Sequence, residues 1–548
     1  MNQFKYIRLI AISLITIVFL FLTSCFFAIN PVLVNGENYI ADLGFRPDLN
    51  GFSFENYGDE KEGIQNLTFR EMEDLFGDVV CSTQNKAKCI LTPPAKRWMK
   101  EMNEDMDGGH CEGMAALSLL LYSDPDLADE WDINTASELR LDNDKELQRE
   151  IAYWFATQAV QSVAEQEIID KTPVEILNFL EKKLTKDAST KQTYTIGIFN
   201  LESGKLEDGH SITPYAIVDK GNDEYGILVY DNNYPKQELE LIINKKKNTW
   251  MYNGSPNPNE EQFLYTGNAK SKNLLLTPTA ARLEPNPFDC DFCPQDSKKV
   301  DSIKITSTTQ DNQIFTEGSA DLLIENNNGG KIGTYKGEFF NNFPGAKFIP
   351  IKSDELLQND SQPIYNIPVE KPFKITLDGN SLTKTELTDV VMIGPGYDVG
   401  IEDIQLEPND KDTINFASNG QSLTYTSSSS EAPNIIFGIV TPSYDYEFEL
   451  NSIEIDPYGT ISAELDTDKG QLKIHIDKTE DDAIFDLIIN RIGDSSEEEF
   501  TGEDIELAAG DDLYIDYGDW EGNGTQLELE LYDDANDSTE TLLIEDNE

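Results

Sequence analysis

The chain has 548 residues and carries 101 Asp and Glu against 42 Lys and Arg, a net charge of −59. Such acidity makes nucleic acid and anionic lipid headgroups poor partners, because like charges repel. The length predicts roughly two to four domains. Carboxylate clusters could bind calcium, but no complete D-x-[DN]-x-[DN]-G loop is present, so we predict no cofactor and leave calcium as an alternative without a motif.

The N-terminal 24 residues are typical of an export signal, with basic residues before an apolar run from Leu9 to Leu22. The run ends in Leu22-Thr23-Ser24-Cys25, which resembles the lipobox of bacterial lipoproteins. That resemblance implies cleavage before Cys25, a lipid on its sulfur, and an exported protein anchored to a bacterial membrane, facing the periplasm or the cell exterior. An uncleaved membrane anchor and a simple secreted protein are the alternatives, since the apolar run continues to Ala28.

Helical and strand patterns follow in that order between residues 61 and 285, after a linker over residues 25–60. Helical spacing is found in "GMAALSLLLY" and from Lys145 to Ile168, and Thr172-Pro173 is typical of a helix start. The strand-like segments "TYTIGIFN", "HSITPYAIVD", "YGILVYD", "LELII" and "TWMYN" come next. This order predicts an α+β domain with N-terminal helices and an antiparallel sheet.

Short alternating segments such as "QLKIHID" and "YEFELNS" fill the rest of the chain, beyond a Pro- and Cys-rich linker at residues 286–299. Their spacing predicts one or two all-β sandwich-like modules. We place a break near Gln405–Asp410, which divides a β module at 300–405 from an acidic β module at 406–548. Neither module carries a chemical motif.

Six cysteines are present, and Cys25 is assigned to lipid. In an exported chain, the close pairs Cys81 with Cys89 and Cys290 with Cys293 are expected to be disulfides. A zinc site built from the same four cysteines is the alternative, although we predict no metal. Cys111 is then left over. Because an unpaired thiol is a liability in an oxidising compartment, we expect it to have a use, with inert packing as the other interpretation.

Cys111 lies where "DGGHCEGMAALSLLLY" begins its helix, and the positive end of a helix favours thiolate. Of the three histidines, His210 begins one predicted strand, and Asp231 ends the next. A two-residue turn at Gly221–Asn222 would pair Ile212 with Asp231 and place His210 diagonally across from that carboxylate. The thiol would be the nucleophile, the imidazole would exchange the proton, and the carboxylate would fix the tautomer.

Further residues near these three received secondary interpretations. Asn232 is the alternative orienter of the histidine. Asn103 is the nearest amide before the thiol, and it is the candidate for an oxyanion hole. His110 is expected to be a packing or cap residue, and Glu112 is expected to face solvent or to interact with the helix dipole.

The segments "GGHCEGMA", "GHSITPYAIVD" and "VYDNNYP" together resemble the papain-like cysteine peptidase superfamily in the broad sense, and are similar to its uncharacterised exported bacterial members. The resemblance covers roughly residues 90 to 250 and implies a papain-like fold with a Cys, His, Asp/Asn triad. The C-G-[SA]-C-[WY] signature is absent, and no glutamine precedes Cys111 closely.

The expected function is a surface-anchored thiol hydrolase, a peptidase or amidase, that acts through a thioester acyl-enzyme on peptide, protein or cell-wall substrates. Two alternatives use the same parts. One is a transglutaminase-like acyltransferase, because the order of the three residues does not separate hydrolysis from acyl transfer. The other is a non-catalytic surface lipoprotein that binds a partner through its β modules and keeps the catalytic domain as a scaffold.

Overall fold

A computed structural model describes residues 38–547, except 59–60, 62, 83–88, 186–191, 256–261, 295–309, 354–361, 479–481 and 494–495. The predicted signal sequence and Cys25 lie outside the described residues. Within the described ranges, no helix is both long enough and apolar enough to cross a membrane.

Eight α-helices are found in the described part of the chain, and proline in the first turn starts half of them, where its fixed φ suits a helix and its missing N–H costs nothing. Thr68 and Thr172 form capping boxes with Glu71 and Glu175 at the starts of two helices, the second of which also begins with proline. The helices are α1 (Pro47–Asn50), α2 (Phe69–Phe76), α3 (Pro93–Asp105), α4 (Cys111–Ser123), α5 (Pro125–Glu130), α6 (Lys145–Ala156), α7 (Gln161–Ala164) and α8 (Pro173–Lys183).

The first sheet has eight antiparallel strands in the order β7-β6-β5-β4-β3-β2-β8, and β1 also pairs with β3. One face packs on α4 and α8, which contribute Leu119, Ile176 and Leu180 to its core. The strands are β1 (Asn38–Asp42), β2 (Tyr194–Glu202), β3 (Lys205–Gly221), β4 (Glu224–Asp231), β5 (Leu239–Asn244), β6 (Thr249–Gly254), β7 (Phe263–Asn268) and β8 (Leu274–Pro278).

Two larger antiparallel sheets follow, one of eleven strands and one of nine. The strands are β9 (Asp311–Glu317), β10 (Asp321–Asn326), β11 (Lys331–Tyr335), β12 (Glu338–Asn341), β13 (Lys347–Ile349), β14 (Ile364–Pro368), β15 (Phe373–Asp378), β16 (Glu386–Gly394), β17 (Tyr397–Leu406), β18 (Lys411–Phe416), β19 (Ser422–Thr426), β20 (Asn434–Val440), β21 (Asp445–Asn451), β22 (Thr460–Asp466), β23 (Gln471–Ile476), β24 (Ala483–Ile492), β25 (Glu497–Leu507), β26 (Asp512–Ile515), β27 (Leu527–Asp533) and β28 (Ser538–Ile544).

The strands of these two sheets alternate along the chain. The eleven-stranded sheet runs β12-β11-β10-β15-β18-β19-β22-β23-β26-β27-β28, and the nine-stranded sheet runs β13-β14-β9-β16-β17-β20-β21-β24-β25. From β16 to β25 the chain therefore places two strands in one sheet and the next two in the other. Both sheets contribute to one hydrophobic cluster, which extends from Ile314 to Leu529.

The nine-stranded sheet is buried on both faces around β9, β16 and β20. Its second face carries Phe315, Val391 and Ile436, which pack in one cluster with Phe76 and Trp98 from α2 and α3. This explains the unbroken apolar run at the centre of β16, since a strand covered on both faces does not alternate. Helix α3 therefore packs on the nine-stranded sheet, whereas α4 and α8 pack on the first sheet.

The expected fold class, an α+β papain-like domain with N-terminal helices followed by sandwich-like modules, is wrong for this chain. Strands make up 43% of it and helices 19%, and three large antiparallel sheets dominate. Part of the error is local: the helical pattern from Lys145 to Ile168 is not one helix. It ends at Ala156, where the Thr157 hydroxyl donates to the Trp154 carbonyl at 2.6 Å, and only short helical turns follow.

The domain boundaries at 285–299 and 405–406 remain predictions. Hydrophobic clusters contain residues from both sides of each boundary. Both expected cysteine pairs are disulfides in the structure, Cys81 with Cys89 and Cys290 with Cys293. All four sulfurs are therefore bonded and none is left to bind zinc. Between the second pair, Phe292 stacks on the ring of Trp98 and fastens this segment to α3.

Candidate active site

Cys111 is the first residue of α4, as the sequence indicates. The chain reaches it through Gly109, whose φ of +151° suits glycine and whose missing Cβ leaves room for the amide of Asn56. The Asn56 Oδ1 accepts the His110 N–H at 2.8 Å. This contact fixes the entry into the helix, so the thiol lies at the positive end of the helix dipole.

His210 and Asp231 lie on the neighbouring strands β3 and β4 of the first sheet. Ile212 pairs with Asp231, as predicted, and the His210 Nε2 lies 2.9 Å from the Asp231 Oδ1. The predicted turn is displaced by one residue, because Gly221 pairs with Glu224 and leaves Asn222 and Asp223 as the turn. Two bulges in β3 then restore the predicted pairing.

Two more residues hold the Asp231 carboxylate in place. The Tyr252 hydroxyl donates to Oδ2, and the Asn233 N–H donates to Oδ1 at 2.9 Å. Burial and the nearby carboxylate raise the pKa of Tyr252 well above its usual value, so the phenol keeps the proton that it donates. Tyr252 was missed from the sequence, although the alternation of "TWMYN" places it on the inward face with Trp250.

His210 is fully buried. Burial disfavours its charged form, but the charge and hydrogen bond of Asp231 and the interaction with the Cys111 side chain raise the pKa of His210 to about 10. Since Asp231 occupies Nε2, the other ring nitrogen, Nδ1, is left buried and without a hydrogen-bond partner in the part of the chain that the structure describes. The structure therefore brings the predicted Cys, His and Asp together, with Nδ1 available to the thiol.

The thiol itself is covered. Cys111 is 1% exposed, and its Sγ donates to the carbonyl oxygen of Lys352 at 3.2 Å. This carbonyl comes from the segment after β13, far along the chain from the other site residues. A substrate could reach the sulfur only after that segment moves.

The two predicted amides lie in other roles. The Asn232 Nδ2 donates to the backbone carbonyls of Cys111 at 2.9 Å and Ser211 at 3.2 Å, so it ties the start of α4 to β3 rather than orienting His210. The Asn103 amide bonds both backbone groups of Leu67 and lines a cleft of about 560 Å³ between α3 and the nine-stranded sheet. None of its described contacts reaches the thiol.

An amide that sequence reasoning missed lies closer. The Gln158 Oε1 accepts the Lys352 N–H at 2.8 Å, directly beside the peptide group that covers the thiol. Its Nε2 is buried and has no hydrogen-bond partner among the described residues. An unpaired buried N–H donor at this place is suited to an oxyanion, which needs donors fixed in advance. Because Gln158 follows Cys111 by several helices, local motifs gave no signal for it.

His110 and Glu112 flank the thiol. The two ring nitrogens of His110 contact the Tyr57 carbonyl and the Asn66 side chain, each at 2.8 Å, and burial lowers the pKa of His110 to about 4. It is therefore a neutral packing residue at the N-cap position. The expectation that Glu112 faces solvent or only the helix dipole is wrong, because its side chain is fully buried.

Glu112 is the centre of a buried polar network. It forms an ion pair with Arg282 and accepts hydrogen bonds from Ser211 and from Thr195, the latter at 3.2 Å. Burial alone would raise the pKa of Glu112, but the cations of Arg282 and Lys352 lower it below its usual value. The carboxylate is thus charged and links α4 to β2, β3 and the segment after β8.

No family model, no curated protein and no solved structure matches the chain. The assignment of the site therefore depends on its own geometry. For metals, the described residues include one group of three carboxylates, Asp516, Glu528 and Glu530, with ligand atoms within 4.8 Å of one another. Because such acidic groups are common on surfaces without an ion, this group does not establish a calcium site, and calcium stays an alternative.

Titration by NMR can test the raised pKa of His210. The C–H signal of His210 should report an imidazolium up to about pH 10. Because this pKa lies above the ordinary histidine value of 6.5, the His210–Asp231 pair stabilises the fold fully below pH 6.5. That contribution is lost as the pH rises through about 10. Asp231→Asn should lower the pKa of His210 strongly. His110→Gln and His475→Gln assign the other signals. Titration of His210 near 6.5 in both proteins would contradict the ion pair.

The buried network predicts a large effect at Glu112. Glu112→Gln leaves Arg282 buried without its carboxylate, which should lower the free energy of unfolding by about 3–5 kcal/mol. Chemical denaturation measures this change. The matched control is Glu165→Gln, which breaks a half-exposed pair with Lys347 and should cost no more than about 1 kcal/mol. Equal, small losses of unfolding free energy in the two variants would show that the buried network does not stabilise the fold to this extent.

Proposed function

We propose that the chain is a thiol hydrolase, a peptidase or amidase, with Cys111 as nucleophile, His210 as general base and acid, and Asp231 as orienter. One observation carries the proposal. Among the described residues, the buried His210–Asp231 pair leaves the His210 Nδ1 without a hydrogen-bond partner, and this nitrogen lies beside the unpaired thiol of Cys111. A buried ring nitrogen without a hydrogen-bond partner destabilises the fold, and such groups are often kept because they have a catalytic role.

The proposed reaction uses these groups in sequence. When the cleft opens, His210 Nδ1 holds the proton of the thiol as an imidazolium, as its raised pKa favours. The sulfur then attacks the substrate carbonyl to form a thioester, while the leaving amine takes that proton from the imidazolium. A water then attacks the thioester with His210 as base, and a carboxylic acid leaves. Asp231 holds the N–H at Nε2 throughout. Gln158 Nε2 is suited to stabilise the oxyanion of both steps.

Replacing the orienter and the base tests whether the three residues act as one unit. His210→Ala should slow alkylation of Cys111 by iodoacetamide at neutral pH by about 10²-fold, since it removes the general base. Asp231→Ala should slow it less, and the double variant should be little worse than His210→Ala alone, because residues of one unit are not additive. Peptide mass mapping measures the label on Cys111.

His475→Gln is the matched control. His475 lies in β23, where its Nδ1 is 2.9 Å from the Asp512 Oδ1, so its replacement should leave the labelling rate of Cys111 unchanged. Fully additive effects of His210→Ala and Asp231→Ala would separate Asp231 from the base. An unchanged rate in His210→Ala, both alone and combined with Lys352→Ala, would overturn the hydrolase proposal.

We further propose that the chain is exported and held at a membrane through a lipid on Cys25, as its lipobox-like segment implies. Cys25→Ser should then move the protein from the membrane fraction to the soluble fraction or the medium, because the lipid is its main hold on the bilayer. Cell fractionation with an antibody detects the shift. Retention of Cys25→Ser at the membrane with an uncleaved N-terminus would instead support a transmembrane anchor.

A further inference from the structure

The segment that covers the thiol is held along its backbone like a bound peptide. It leaves the edge of the nine-stranded sheet after β13 and lies against the start of α4 and against β2 and β3 of the first sheet. The Lys352 carbonyl accepts from the Cys111 Sγ at 3.2 Å, and its N–H donates to Gln158 at 2.8 Å. The Ser353 hydroxyl donates to the Asp105 carbonyl. Lys352 is thus bonded through both its backbone N–H and its carbonyl oxygen beside the nucleophile.

The first sheet leaves room for this segment at two glycines. A Cβ on Gly197 in β2 would lie 2.8 Å from the Lys352 Cε, and a Cβ on Gly209 in β3 would lie 2.5 Å from the Ile351 carbonyl oxygen. Glycine inside a strand weakens the strand and often marks close approach of another backbone or a ligand. These two glycines therefore form a groove that fits an extended peptide.

The Lys352 side chain fills a buried polar pocket beside the thiol. Its Nζ lies 2.5 Å from Glu167, 3.4 Å from the Thr277 hydroxyl and 3.8 Å from Glu112. Since Glu112 already forms an ion pair with Arg282, the Glu167 carboxylate is the charge that the lysine neutralises. Without Lys352 the pocket would hold one uncompensated buried negative charge, which is strongly unfavourable. An occupant must therefore bring a cation.

We infer that this groove is the substrate cleft of the proposed hydrolase and that the Glu167 pocket selects lysine at the residue whose carbonyl is attacked. The substrate class is then polypeptides that contain lysine. The inference rests on the proposed function and names its specificity. In the present structure the chain's own Lys352 occupies the cleft and blocks it, because the thiol faces the carbonyl oxygen as a hydrogen-bond donor and does not attack the carbon.

For a substrate lysine, the sulfur forms a bond to the carbonyl carbon and the following peptide C–N bond breaks. The leaving amine takes its proton from His210. Water then hydrolyses the thioester, which frees the thiol and releases a product that ends in a lysine carboxylate. Each step uses only the residues described above and water.

Full-length Lys352→Ala tests the inference with two peptidyl chloromethyl ketones that differ only in the ammonium group, one lysyl and one norleucyl. The lysyl probe should label Cys111 about tenfold faster or more than the norleucyl probe, as expected for a charge-assisted contact. Adding Glu167→Gln should remove this preference, whereas adding Glu165→Gln, at the half-exposed position, should keep it. The wild-type chain should react more slowly with both probes.

Gly197→Ala provides a second opening of the cleft that keeps the lysine charge. Its new Cβ should displace the Lys352 stem and raise iodoacetamide labelling of Cys111 above that of Gly226→Ala. Gly226 is the control because it lies in the same sheet, in β4, and its own Cβ would meet Val218 rather than Lys352. Equal labelling of the two glycine variants would overturn the blocking role.

Equal rates with the lysyl and norleucyl probes in Lys352→Ala would overturn the lysine pocket. If iodoacetamide labelling still depends on His210 in that case, the hydrolase proposal stands and only its specificity falls. If labelling does not depend on His210 in Lys352→Ala, the hydrolase proposal itself falls. The two failures are therefore distinguishable by one reagent.

Discussion

The buried carboxylate of Glu112 is the constraint on which the site depends. It lies one residue after the thiol, in the first turn of α4, and its charge needs a cation that no neighbour on that helix provides. Arg282, in the turn that follows β8, supplies this cation, while the hydroxyls of Ser211 in β3 and Thr195 in β2 donate hydrogen bonds to the carboxylate. Because a buried charge without its partner costs several kcal/mol, these contacts fix where α4 begins, and so where Cys111 lies relative to His210.

The charges around Glu112 and Glu167 balance. Arg282 and Lys352 face the carboxylates of Glu112 and Glu167, and all four side chains are buried. With two cations and two anions, this part of the site is neutral while Lys352 fills the cleft. Removing Lys352 from the cleft upsets this balance, and under the proposed specificity the ammonium group of a substrate lysine would restore it. The closed state and the proposed specificity thus depend on the same electrostatic requirement.

Local sequence patterns predicted the parts of the site that depend on neighbouring residues. The start of α4 at Cys111 follows from the glycine pair and the apolar run, and the pairing of Ile212 with Asp231 was derived from the turn placed between two strands. That second prediction succeeded although the turn was placed one residue too early, because two bulges in β3 compensate. A bulge adds a residue to one strand without a clear sequence signal, so the register could not be derived with certainty.

The rest of the site and the fold class depend on contacts between distant segments. Periodicity reports that a face is buried but not what covers it, so it gave no sign that the nine-stranded sheet packs on the helices. For the same reason Glu112 was expected to face solvent or to interact with the helix dipole, since an acidic residue is favourable in a first turn. Gln158 and Lys352 join the site from other elements, and neither belongs to a local motif.

The cover on the thiol bears on how an unpaired cysteine persists in an exported protein, as proposed here. Four other cysteines of the chain are disulfide-bonded, and thiol–disulfide exchange requires access to the attacking sulfur. At 1% exposure and bonded to the Lys352 carbonyl, the Cys111 sulfur is withdrawn from such exchange. The segment that would exclude substrate under the proposed function therefore also excludes oxidants. As the proposed nucleophile, Cys111 is thus protected in the closed state and becomes accessible only when this segment moves.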